Sequence, residues 1–182
     1  GPGGGPDGGP GGGPGGGPGG GLPELGWPVG EVREQPLGAT TYVAGQVSTS
    51  EAIFEQDVGT MIHAMYQALE GTDVRKTGPA FVLVTGPWGA AMQATVGFPV
   101  VPGTKTESVP AGYTLESLPS SPALAMVHQG TRNTLASADT PLFAKAGRAI
   151  ADGGTRMYVL LDRPDEAGPA GPKTKAVLLL SE

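Results

Sequence analysis

Apolar positions recur along this chain at two spacings, and the changes between them mark its elements. Val58, Met61, Ile62, Met65 and Leu69 fall three or four residues apart, as on one helix face, and Gly71 follows where a left-handed residue would end the helix. A helix is predicted over 54–70. From Glu31 to Val47 the chain is rich in β-branched residues and is interrupted at Pro36-Leu37-Gly38, the pattern of a broken strand. Ala80 to Thr85 is an apolar, β-prone run fenced by Gly78-Pro79 and Gly86-Pro87, and a further strand spans Gln93 to Val100. Thr140-Pro141 reads as an N-cap and first-turn pair, with a stripe of Leu142, Ala146, Ala149 and Ile150 closed by Gly153-Gly154. A second helix is predicted over 141–151. Met157 to Leu161 and Ala176 to Leu180 read as strands, joined by a Pro/Gly-rich loop through Asp165 and Pro172.

This order is a repeat. Leu115 to Pro119 followed by Leu124 to His128 matches Val32 to Gly45 at an offset of 83 residues, with Pro119 falling on Pro36. Each half is strand, helix, strand, strand. The predicted fold is α+β: two halves related by a pseudo-twofold axis, one antiparallel sheet, both helices on one face and a central cleft. The cleft is the natural place for a ligand.

Composition sharpens the picture. Residues 1–21 contain only Gly, Pro and one Asp, with Pro every fourth residue, which excludes the three-residue collagen repeat. A disordered tail over 1–21 and one domain over 22–182 are predicted. There is no cysteine, which removes disulfides and thiolate metal sites, and His63 and His128 have no acidic or histidine neighbours at ligand spacing. No metal and no cofactor are predicted. A net charge of −6 with scattered basic residues disfavours direct nucleic-acid binding, and no apolar run is long enough to span a membrane. The chain reads as cytoplasmic, with its oligomeric state open and a homodimer among the options.

Four stretches, in order, carry a family resemblance: Gly78-Pro79-Ala80-Phe81, Val96-Gly97-Phe98-Pro99-Val100, Val127-His128-Gln129-Gly130, and Tyr158 to Pro164. Through them the chain resembles the GyrI-like small-molecule-binding family, also described as the effector-binding domain of bacterial transcription activators. The resemblance implies the same duplicated fold, an aromatic-lined pocket, and a role in drug binding, antibiotic resistance or transcription regulation. Some members are implied to hydrolyse cyclopropane-containing toxins and others to inhibit gyrase. Two acidic residues that the family implies for the pocket are missing: Gln93 and Thr95 occupy the neighbourhood of one, and Tyr158 stands in place of the other. Val84 stands where the family would place a Tyr on the earlier apolar strand.

The ligand-lining candidates are Tyr42, Met65, Tyr66, Trp88, Phe98, Met126, His128 and Tyr158. Flat rings and polarizable thioethers accept varied apolar shapes, and Trp88 lies on a Gly-Pro-Trp-Gly loop suited to a lid. A cationic ligand would lack the buried charge partner that offsets its desolvation, so a hydrophobic, neutral, multi-ring or macrocyclic small molecule is expected. No catalytic residue is assigned: Tyr is a poor base at neutral pH and no Gly-X-Ser-X-Gly elbow occurs. A binding module for sequestration, resistance or sensing is the leading expectation. The alternatives are a hydrolase of reactive cyclopropane-type natural products, drawing on Tyr158, His128, Glu116 or Asp162, and a protein-interaction module such as a gyrase-binding protein.

Overall fold

The strands are β1 (Arg33–Glu34), β2 (Thr40–Thr49), β3 (Phe81–Val84), β4 (Met92–Pro99), β5 (Thr114–Leu118), β6 (Ala123–Gln129), β7 (Arg156–Leu160) and β8 (Lys173–Leu179), with helices α1 (Phe54–Leu69) and α2 (Ala136–Ala146). The computed structural model describes residues 27–147, 154–162 and 168–180. The tail over 1–21, the expected end of the second helix at 148–151, and Arg163, Pro164 and Asp165 lie outside the described residues.

Among the described residues the strands form one open antiparallel sheet in the order β1-β6-β8-β7-β3-β4-β2-β5. The duplication is visible in its register. Arg33 pairs with Ala125, and Glu116 pairs with Tyr42. Arg33 and Glu116 are 83 residues apart in the chain, as are Tyr42 and Ala125, so one ladder occurs twice. Each half lends its short first strand to the edge of the other: β1 lies on β6, and β5 lies on β2. The halves meet in the middle, where β3 pairs with β7 from Phe81↔Val159 to Val84↔Arg156.

Alternation along the strands gives the sheet two apolar faces. Val43, Val82, Val96, Met126, Tyr158 and Leu178 face the helices and pack with Phe54, Val58, Met65, Leu135, Leu142 and Phe143. Both helices therefore cover the same face. Burial of each large apolar side chain contributes about 1.5–3 kcal/mol. Tyr42, Phe81, Ala125, Met157, Val159 and Val177 form a separate cluster on the opposite face, with Trp27 and Leu37.

The first helix follows its stripe, with Gly71 at φ 84° just beyond its end. The second differs from expectation. Thr131 accepts a hydrogen bond from the Asn133 backbone N–H and opens a 3-10 turn, Arg132–Thr134, that leads directly into α2. The helix thus begins before Thr140-Pro141, and Pro141 lies inside it. Pro141 removes only the N–H that would reach the Ser137 carbonyl, and the packing of Ala138, Leu142 and Phe143 holds the helix through that gap. Gly147, at φ 70°, caps its end.

Candidate functional site

Two neighbouring arrangements occupy the seam between α1 and the second half: a buried polar network and an open groove. The network centres on Asp139, which is 1 % exposed. Its position follows from α2, where Asp139 shares the inward stripe with Ala138, Leu142 and Phe143. Tyr158 Oη donates to Asp139 Oδ1 at 2.6 Å, while Trp88 Nε1 and Arg156 Nε donate to Asp139 Oδ2 at 3.0 and 3.1 Å. Trp88 Nε1 also lies 3.2 Å from Tyr158 Oη. The remaining Arg156 nitrogens donate to the carbonyls of Gly154 and Gly86 at 2.6 and 2.5 Å. Burial raises the Asp139 carboxyl above its usual range, and hydrogen bonding from Tyr158 and the charge of Arg156 oppose that rise. The Tyr158 hydroxyl is raised as well, chiefly by burial and then by the Asp139 charge. The Trp88 ring sits edge-on to Phe54 at 4.8 Å and to Tyr158 at 5.6 Å, closing this end of the seam.

One step along the same elements the seam is open. Beyond Phe54, α1 presents Val58, Gly59, Ile62, His63 and Tyr66; beyond Tyr158, β7 presents Leu160, followed by Leu161 and Asp162. With Lys76, Gly78, Pro79, Ala80, Phe98, Glu55 and Arg132, these residues line a groove of about 580 Å³. Drug-sized ligands occupy pockets of about 300–1,000 Å³. Most of the lining is apolar, and the charged groups Glu55, Lys76, Arg132 and Asp162 share it.

Most of those charges are engaged by the fold. Arg132, 4 % exposed, donates through Nε to Thr174 Oγ1 at 2.7 Å and through Nη2 to the carbonyls of Asp162 and Lys173 at 2.6 and 2.9 Å. Burial pushes its guanidinium down, and Asp162 and Glu55 act against that shift. Glu55 Oε1 accepts from the Arg132 backbone N–H at 2.6 Å and from Thr131 Oγ1 at 3.2 Å. Asp162 Oδ1 accepts from the Lys173 N–H at 2.7 Å. Lys76 differs: its ammonium stands 3.7 Å from the Tyr66 ring centroid and 5.6 Å from that of Phe98. Burial lowers the Lys76 ammonium, with Glu70 opposing.

The sequence candidates separate into distinct places. Tyr66 and Phe98 line the groove together. Trp88 and Tyr158 meet at Asp139. Met65 and Met126 are buried in the helix-side core, and Tyr42 is buried on the opposite face of the sheet. There Tyr42 faces Phe81 edge-on at 5.1 Å, and burial, then Glu116, raises its hydroxyl. His128 lies 3.1 Å from Thr134 Oγ1, and burial lowers its imidazole. His63 is exposed and lines the groove.

One expectation is corrected. The sequence predicts a cleft without a buried carboxylate partner, yet Asp139 is buried at the seam and Glu55 and Asp162 line the groove. The acids come from the start of each helix and the end of β7, not from the strand positions the resemblance emphasises. Among the described residues no group of three or more His, Asp or Glu side chains is arranged to hold a metal ion.

No family model matches the sequence. No curated protein matches it either. Solved structures do. The EcmrR C-terminal domain superposes with a TM-score of 0.63 at 12% identity, covering 84% of this chain and 97% of that one. A hydrolase from Listeria innocua gives 0.52 at 14% identity, with 85% and 93% covered. SAV2435 bound to tetraphenylphosphonium gives 0.50 at 14% identity, with 83% and 94% covered. At such identities the likeness concerns architecture, and together with the repeated half-unit and the shared helix face it gives this chain the GyrI-like fold.

Proposed function

We propose that the chain is a binding module whose groove takes up a hydrophobic, multi-ring or macrocyclic small molecule, for sequestration or sensing. The observation that carries this reading is the groove itself: about 580 Å³, lined in large part by Val58, Ile62, Ala80, Phe98 and Leu160. Apolar surface of this kind rewards a ring system that displaces water from it, while the charged groups orient the ligand. SAV2435, a solved relative in fold, is described in complex with a multi-ring molecule, tetraphenylphosphonium. That complex supports small-molecule uptake as a use of this architecture.

Hydrolysis would need a proton carrier free to act on the ligand. The nearest acids are engaged instead: Glu55 and Asp162 by backbone N–H groups, and Asp139 by three side-chain donors. Calorimetric titration of neutral polycyclic compounds into the protein and its Ile62→Trp variant tests the reading, with mass spectrometry of the recovered ligand. Filling the groove should weaken binding by about tenfold or more, equivalent to about 1.4 kcal/mol, with the ligand recovered unaltered. Equal affinity in the variant would move the site elsewhere, and a water-added product would make the protein a hydrolase.

A further inference from the structure

Lys76 and Tyr66 come from different elements, the segment before β3 and the last turn of α1, and they meet at the mouth of the groove. The Lys76 ammonium at 3.7 Å from the ring centroid of Tyr66 occupies the place that a bound cation would take over an aromatic face. We propose that Lys76 is a tethered cation that fills the aromatic end of the groove, setting the ligand class to ring-bearing carboxylates and turning lipophilic cations away. The inference rests on the groove being the ligand site and specifies the charge of what enters it, replacing the neutral ligand expected from sequence.

Three observations carry it. First, a cationic ligand seeking Tyr66 or Phe98 would meet a like charge already in place, since Lys76 Nζ is also 5.6 Å from the Phe98 centroid. Removing that clash means swinging the lysine aside and losing its cation–π contact. Second, among the described residues the Lys76 ammonium has no carboxylate at ion-pair distance, whereas the other charges of the lining are held by the fold. Glu55 and Asp162 are therefore poor partners for an incoming cation, while Lys76 keeps donors for an incoming anion. Third, the apolar side chains of Val58, Ile62 and Leu160 line the same cavity. A ligand with rings at one end and a carboxylate at the other can cover them and still reach Lys76 with a charge-assisted hydrogen bond.

Three fluorescent probes of one shape test this: anthracene-9-carboxylate, 9-anthracenemethanol and 9-(aminomethyl)anthracene, titrated into the full chain and into Lys76→Met and Lys76→Glu. The wild type should bind the carboxylate most tightly and the ammonium most weakly. Lys76→Met should weaken the carboxylate by about tenfold, strengthen the ammonium, and leave the alcohol within about twofold. Lys76→Glu should reverse the order of the charged probes. Lys76 is exposed, so both variants should keep the wild-type melting profile. Alcohol binding together with a charge order that ignores position 76 would overturn the inference and leave the binding module standing. Failure of all three probes to bind the wild type would overturn both.

Discussion

The hydroxyl of Tyr158 donates into Asp139 across 2.6 Å, inside a network that also holds Trp88 and Arg156. At this scale a change should read out as stability before it reads out as binding. Tyr158→Phe leaves a buried carboxylate short of one donor, a loss of about 1–3 kcal/mol. Urea unfolding should show that loss, while affinity for a groove ligand stays within about twofold; a large drop in affinity at unchanged stability would place Tyr158 in the binding surface. Lys175 offers a second residue-scale prediction. It is fully buried, its Nζ donates to Gln35 Oε1 at 2.7 Å, and burial pushes its ammonium down to about 8. Because the folded value lies below the ordinary one, the unfolded chain binds a proton that the folded chain releases between about pH 8 and 10.5. Unfolding free energy should therefore rise with pH across that window, by up to about 1.4 kcal/mol per unit, and Lys175→Met should flatten the rise. A wild-type stability that falls or stays level there would contradict the assignment.

At the scale of the elements, the Phe81 ring of β3 lies over Gly97 of β4, in the space a side chain there would take. A Cβ added at Gly97 would stand 2.5 and 2.6 Å from Phe81 Cζ and Cε1, and 3.0 Å from Tyr42 Cδ2. Both rings are buried, so they cannot swing away into solvent. Gly97→Ala should cost about 1–3 kcal/mol, seen as a lower urea midpoint at unchanged slope. The strands and α1 were legible because their apolar spacing is regular and Gly or Pro fences them. The start of α2 was not, because Thr140-Pro141 imitates a cap while the helix in fact enters from a turn opened by Thr131. That error hid the buried acid: only with the helix running from Ala136 does Asp139 join the stripe of Leu142 and Phe143. The Lys76–Tyr66 contact was illegible for a different reason. It joins a helix face to a connecting segment, and no spacing rule predicts where such a segment will pass.

At the scale of the whole molecule, the repeat was the most informative feature of the sequence, because the offset that aligns Pro36 with Pro119 also aligns the two edge ladders. Duplication places β3 against β7 and leaves a seam where the helix of one half faces strand ends of the other. Trp88, Asp139 and Tyr158 close one end of that seam, and the groove opens at the other. The most direct measurement is a titration of the ¹⁵N-labelled protein with 9-anthracenemethanol, followed by amide chemical shifts. The largest shifts should gather at Gly59, Ile62, Gly78, Ala80 and Leu161 around the groove. Shifts concentrated at Tyr42, Phe81 and Met157 on the opposite face, or none at saturating probe, would contradict it.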